Sequence, residues 1–178
     1  MKTLTLLRHA KSGLDDMGLR DFDRTLNAKG RRAASVVGRH LRDEGLGFDH
    51  VVASPAVRVM QTLDAIEQGL GRRLAPEWDR RLYLASADEL VAVVRALPAE
   101  AGRVLLVGHN PGLAELVLML VPEGAGTLRG AVAVKYPTAS LAELTLADGW
   151  ASAGEGAATL TRFVRPRDLD PSLGPDEE

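Results

Sequence analysis

The sequence predicts an α/β fold in which a mostly parallel central sheet carries helices on both faces. Two observations support this. Short runs rich in Val and Leu alternate with capped, helix-like segments over most of the chain. The length, 178 residues, suits a single domain with little room for a second. A domain over residues 1–165 and a tail over 166–178 are expected.

The elements follow in chain order. Residues 3–7 form a short β-type run that ends at Arg8-His9. Residues 13–25 are polar, hold Asp15, Asp16, Asp21 and Asp23, and read as a loop. Asn27 can cap a helix over Ala28–Asp43 with Gly45 as its stop, a reading that Gly30 and Gly38 weaken. Residues 48–53 make a second strand. Ser54-Pro55 then supplies an N-cap and a proline at the first helical position, so a helix is expected from there to about Leu70. Ser86 with Glu89 matches a capping box, and its helix ends before Pro98. Residues 103–107 are a third strand, left through Gly108-His109-Asn110-Pro111, and an apolar helix follows over 112–121. Residues 131–136, 141–146 and 159–164 read as further strands. The prolines and acidic side chains of 166–178 suggest a tail that packs in part or not at all.

Composition narrows the function. Hydrophobic residues are 46% and charged residues 26%, which argues against global disorder. The net charge of −2 and an aromatic content of 4% speak against a nucleic-acid or anionic-membrane binder. Without cysteine there is no disulfide scaffold, thiolate metal site or cysteine nucleophile. The apolar run at the N-terminus is too short for a signal-peptide core or a membrane span, and a cytoplasmic protein is expected.

Ligands of open α/β sheets bind beyond the carboxyl ends of the strands. Those ends deliver Arg8 and His9, Ser54 with Arg58 one turn later, and His109. Singly, each has a plain reading: Arg8 or Arg58 a surface charge, His9 or His109 a hydrogen-bonded structural residue, Ser54 a helix cap. Together they suggest an anion site, since guanidinium groups match phosphoryl oxygens and Arg58 falls in the first turn of a helix. Two histidines could also suggest a metal, but the adjacent arginines would repel a cation, so no metal or cofactor is expected.

These residues also carry a resemblance. Leu7-Arg8-His9-Ala10-Lys11-Ser12, Ser54-Pro55-Ala56-Val57-Arg58 with Gln61-Thr62, and Gly108-His109-Asn110-Pro111 resemble, in order, three motifs of the histidine phosphatase superfamily. Asp23-Arg24-Thr25-Leu26, Gly30, Pro137-Thr138 and the segment 163–169 are similar to its SixA-type phosphohistidine phosphatase branch, which has the phosphoglycerate mutase-like fold. The resemblance implies that His9 is the nucleophile of a phosphohistidine intermediate. It implies that Arg8, Arg58 and His109 bind the phosphoryl oxygens, and that inorganic phosphate is the product.

Many branches carry a glutamate general acid after the second helix. Here residues 82–85 hold no carboxylate, Glu77 and Asp79 read as solvated, and Glu89 belongs to the capping box. An alkoxide leaving group gains from a proton donor, whereas the weaker P–N bond of phosphohistidine can be protonated from solvent. The expected substrate is therefore a phosphorylated protein. The alternatives are a phosphomonoesterase on a small metabolite and a non-catalytic phosphate-binding module, with a mutase less favoured. The acidic loop over 15–23 reads as solvated, with a substitute acid or a partner contact as the other reading.

Overall fold

The computed structural model describes residues 1–13 and 18–175. Six strands form one sheet: β1 (Lys2–Arg8), β2 (His50–Ala53), β3 (Glu77–Trp78), β4 (Arg103–Gly108), β5 (Leu141–Leu146) and β6 (Ala158–Val164). Their spatial order is β3-β2-β4-β1-β5-β6. Strands β1 to β4 pair in parallel, and β5 runs antiparallel to both β1 and β6. The mostly parallel sheet is thus as expected, with one reversed strand near an edge.

The pleat divides the core. Leu4 and Leu6 of β1 and Val104 and Leu106 of β4 face α3 (Ala87–Arg95) and α4 (Gly112–Leu120), where they meet Leu90, Val94, Leu113 and Leu116. Leu7, Leu105 and Val107 face the other way, onto Val37 and Leu41 of α1 (Ala28–Asp43) and Val59 and Ile66 of α2 (Val57–Leu70). Alternation by two along a strand sends neighbours to opposite faces, and both faces are covered.

The glycines that weakened the α1 reading have a packing role. A Cβ on Gly30 would overlap the Lys11 carbonyl oxygen and one on Gly38 the Ile66 carbonyl oxygen of α2, while one on Gly69 of α2 would overlap the Ser35 carbonyl oxygen of α1. The two helices touch backbone to backbone there. Asn27 caps α1 by accepting from Gly30 N–H at 2.7 Å. The capping box at Ser86 and Glu89 is present from both sides, at 3.1 and 3.2 Å.

Three expectations change. Residues 131–136 are not a strand: α5 (Thr127–Val134) occupies most of them. A strand would put Val132 and Val134 on one face, yet Val132 is buried and Val134 is 86% exposed, and β5 already holds the place beside β1. The helix after β2 begins at Val57, and Ser54 is not its cap. Instead Ser54 N–H donates to Val107 O at 3.0 Å, which prolongs the strand pairing by one residue. The two-residue β3 is an addition; both its side chains are exposed, so no apolar alternation marks it. Of the two readings of the C-terminal segment, partial packing is the one observed among the described residues: α6 (Pro166–Leu169) lies against α1, and Pro166 and Leu173 are buried. Asp15, Asp16 and the acidic residues 176–178 fall outside the described residues.

Candidate active site

The site follows from strand order. β4 lies between β1 and β2, so three parallel strands end side by side. Arg8 pairs with Gly108, and the next residues on the two strands are His9 and His109. His9 N–H donates to Gly108 O at 3.1 Å, and the imidazole centroids are 5.2 Å apart. The Arg58 side chain reaches the histidines from the first turn of α2. All three are buried, with 8%, 4% and 3% exposure for His9, Arg58 and His109.

Hydrogen bonds assign the proton on each ring. His9 Nδ1 is 2.7 Å from Ala10 O, and a carbonyl only accepts, so Nδ1 carries the hydrogen. Nε2 then keeps its lone pair and accepts from Arg58 Nε at 3.4 Å. His109 Nδ1 accepts from Arg58 Nη2 at 3.3 Å, so its hydrogen lies on Nε2 and donates to Ser54 Oγ at 2.8 Å. Burial, joined by the His109, Arg8 and Arg58 charges, pulls His9 down to about 3 against the opposing Ala10 hydrogen bond. Burial and the Arg58 charge take His109 down to about 4. Both rings are neutral at pH 7.

Arg58 is clamped from behind. Nη1 donates to Asp21 O at 2.7 Å and Nη2 to Asp21 Oδ2 at 3.0 Å. Tyr83 OH donates to the same Oδ2 at 2.5 Å, while its ring stands edge-on to His109, with centroids 5.4 Å apart. Phe22, one residue past Asp21, closes the cluster edge-on to Tyr83 at 5.1 Å. The Arg58 bonds to the two histidines are the long ones. Those donors point into the site, where the oxygen of an anion can replace the histidine nitrogens as acceptor.

Arg8 flanks this group. Its Nη1 donates to Tyr136 O at 2.9 Å, a carbonyl that also accepts from Asn110 Nδ2 at 3.0 Å. Its charge acts on both histidines. Thr62 ties two parts of the site together, accepting from Ala10 N–H at 2.9 Å and donating to Arg58 O at 2.6 Å. Gln61 Oε1 accepts from Leu26 N–H at 2.8 Å and anchors the chain that leads from Asp21 into α1.

The structure therefore brings His9, Arg58 and His109 into direct contact with Arg8 beside them. It adds Ser54, Asp21 and Tyr83, which sequence reasoning did not assign to the site. Ser54 fits a helix cap by local rules, although its position at a strand end is itself a signal. Asp21 belongs to the acidic loop that reads as solvated, with a substitute acid or a partner contact as its other reading, and Tyr83 to a run without a carboxylate. Asp79 is tied up by Arg81 at 2.7 Å, and Glu77 is an exposed edge residue near His50. Among the described residues, no group of three His, Cys, Asp or Glu side chains could hold a metal ion, and no helix is long and apolar enough to cross a membrane.

Comparison with known proteins agrees with this geometry. The family model "Histidine phosphatase superfamily (branch 1)" matches residues 4–83. An uncharacterized protein of Mycobacterium tuberculosis, Rv1276c, is 31% identical over 163 residues, covering 90% of this chain and 100% of that protein. A candidate phosphohistidine phosphatase SixA from Nakamurella multipartitia is 33% identical, with TM-score 0.74 and coverage of 93% of this chain and 96% of the other. A candidate phosphohistidine phosphatase SixA from Agrobacterium tumefaciens is 28% identical, with TM-score 0.77 and coverage of 93% and 98%. The order of the strands, the buried pair of histidines around Arg58 and these likenesses agree: the chain belongs to the histidine phosphatase superfamily, as a phosphatase of SixA-like fold.

Proposed function

We propose that the protein removes the phosphoryl group from phosphohistidine on a protein, with His9 as nucleophile. One observation carries the reading: His9 is buried and neutral, its Nδ1 hydrogen is held by Ala10 O, and its Nε2 lone pair faces Arg58. A neutral imidazole nitrogen is what attack on phosphorus needs.

In the first step the Nε2 lone pair forms a bond to phosphorus as the P–N bond of the substrate breaks, and that electron pair returns to the leaving imidazole. His9 becomes a phosphoimidazolium whose positive charge is shared with Ala10 O through Nδ1–H. Water then attacks phosphorus, the pair of the P–Nε2 bond returns to His9, and one water proton passes to a phosphate oxygen or solvent. Arg8 and Arg58 supply positive charge and hydrogen bonds to the equatorial oxygens, and His109, whose Nδ1 faces Arg58, joins them by taking a proton at Nδ1 when the phosphoryl anion is bound. The charge comes from the chain's own guanidinium groups, and neither step uses a metal.

The likeness to the candidate SixA proteins supports the P–N substrate. So does the wall of the site, where Tyr83 rather than a carboxylic acid stands against His109. The test is a side-by-side assay of a phosphohistidine protein against a panel of alkyl and aryl phosphates, with the His9→Ala variant as control. The phosphohistidine protein should be the best substrate, wild-type enzyme quenched in turnover should hold acid-labile phosphate, and His9→Ala should do neither. Faster turnover of alkyl phosphates would replace the reading with that of a small-molecule phosphomonoesterase.

A further inference from the structure

The reaction just proposed moves a phosphoryl group between two imidazoles, and the structure serves one of them plainly. When His9 bears the phosphoryl group, its distal N–H rests on Ala10 O at 2.7 Å. The substrate's imidazole has the same need. A phosphoimidazole leaves easily when its distal nitrogen is protonated, because the electron pair of the broken P–N bond then returns to a neutral ring. A site that holds such a ring needs an acceptor at its mouth, beyond the arginine that holds the phosphoryl oxygens.

We propose that Asp21 is that acceptor, a specificity-determining residue whose carboxylate accepts a hydrogen bond from the distal N–H of the substrate's phosphoimidazolium ring, which then leaves as neutral imidazole. The inference rests on the phosphohistidine reading and extends it. Arg58 Nη2 touches both His109 Nδ1, at 3.3 Å, and Asp21 Oδ2, at 3.0 Å, so the carboxylate stands one guanidinium away from the phosphoryl position. Oδ2 is held by Arg58 and by Tyr83 OH. Among the described residues Oδ1 meets Arg24 Nη1 at 3.5 Å, and the side chain is 46% exposed, so the group is fixed on one side and open to an incoming N–H on the other.

The protonation state fits an acceptor. Partial burial pushes the Asp21 carboxyl up, but the hydrogen bonds from Tyr83 and Arg58 and the Arg58 and Arg24 charges outweigh it and hold the group below its ordinary value. An ionised carboxylate has no proton to give an alkoxide. It does attract a cationic ring, and it disfavours a leaving group that carries negative charge. The absent general acid thus has a counterpart suited to P–N cleavage: the ring arrives with its proton, and the protein holds that proton in place.

The test compares phosphoimidazole with p-nitrophenyl phosphate, whose leaving group is anionic, in wild-type enzyme and Asp21→Asn. The amide oxygen of Asn can still accept from Arg58, so the variant removes charge with little change of shape. The ratio of kcat/KM for phosphoimidazole to that for p-nitrophenyl phosphate should fall roughly tenfold to a hundredfold, the range of a hydrogen bond to a charged group. A second arm needs no variant. 1-Phospho-3-methylimidazolium has no distal N–H, and wild-type enzyme should lose its preference for the imidazole leaving group on this probe. Equal losses on both substrates in Asp21→Asn would mark the residue as a mere support for Arg58 and overturn the inference. So would a methylated probe turned over as fast as phosphoimidazole. If wild-type enzyme hydrolyses p-nitrophenyl phosphate but neither phosphoimidazole nor a phosphohistidine protein, the phosphohistidine reading itself falls, and the inference with it.

Discussion

Acidification should unfold this protein in a window set by its two site histidines. Folding takes His9 from an ordinary value of 6.5 down to about 3, and His109 from 6.5 down to about 4. Between those values the unfolded chain binds a proton at each ring and the folded chain does not. Stability therefore rises with pH across the window: it is fully present above 6.5 and is lost as pH falls toward the folded values. Each proton costs about 1.4 kcal/mol per pH unit. At pH 5, about 1.5 units below the unfolded value, the loss is about 2 kcal/mol per ring and about 4 kcal/mol for both. That is a large share of the 5–15 kcal/mol typical of a domain. The lowered carboxylates, Asp21, Asp79, Asp168, Asp170 and Glu89, lose their contribution only below their ordinary 3.8 for Asp and 4.5 for Glu, so the interval above pH 5 reports the histidines. Urea unfolding between pH 8 and pH 5 measures the effect. Wild-type enzyme should lose about 4 kcal/mol over that range and His9→Ala about 2 kcal/mol, since one of the two protons is gone. Equal losses in the two proteins, or a flat profile in wild type, would refute the assignment of buried neutral histidines. The same geometry predicts that kcat/KM corrected for the folded fraction does not fall through protonation of free His9 between pH 8 and pH 5.

Arg58→Ala removes donors to both histidines and to Asp21 and should lower kcat/KM by roughly 10²–10³. Arg58→Lys should not restore it, because an ammonium cannot reproduce the planar fork; near-normal turnover by the lysine variant would contradict the role. Gly38→Ala should destabilise the protein by about 1–3 kcal/mol or more in urea melts, because the new methyl group meets the Ile66 carbonyl. Gly130→Ala on α5, where a Cβ meets nothing, should be neutral or stabilising by up to about 1 kcal/mol. Equal effects at these two glycines would contradict the backbone contact between α1 and α2.

Legibility in the sequence followed the length scale of each interaction. Asn27, the Ser86–Glu89 box and the residues at the strand ends could be read because caps and strand-to-loop transitions are set by a few neighbouring residues. The pairing of β1 with β4 is not a local property: the sequence places His9 and His109 at strand ends, and only the sheet order makes them neighbours. The helix α5 is not local either, because Ala-Val-Ala-Val fits a strand and a helix equally well and only the occupied place beside β1 decides. Ser54 escapes local rules for a related reason. A serine before a proline is a good cap by local rules, and the competing partner, His109 Nε2 at 2.8 Å, lies 55 residues away. Asp21 and Tyr83 are separated by 62 residues and join only through the fold.

The second motif shows how the remaining residues of such a site contribute without touching substrate. Burying two neutral imidazoles beside a guanidinium is costly, because their desolvation opposes folding, so the surroundings must hold them in one arrangement. Two adjacent residues on α2 provide much of that hold. Thr62 accepts from Ala10 N–H, just past the proposed nucleophile, and donates to the carbonyl of Arg58. Gln61 reaches the other way, to Leu26 N–H, on the chain that leads from Asp21 into α1. One turn of helix thus fixes the backbone beside His9, the base of Arg58 and the segment that clamps the Arg58 guanidinium. A displacement of α2 would disturb all three together. The backbone contact of Gly38 and Gly69 between α1 and α2 opposes that displacement, so residues far from phosphorus help to set the geometry at His9 Nε2.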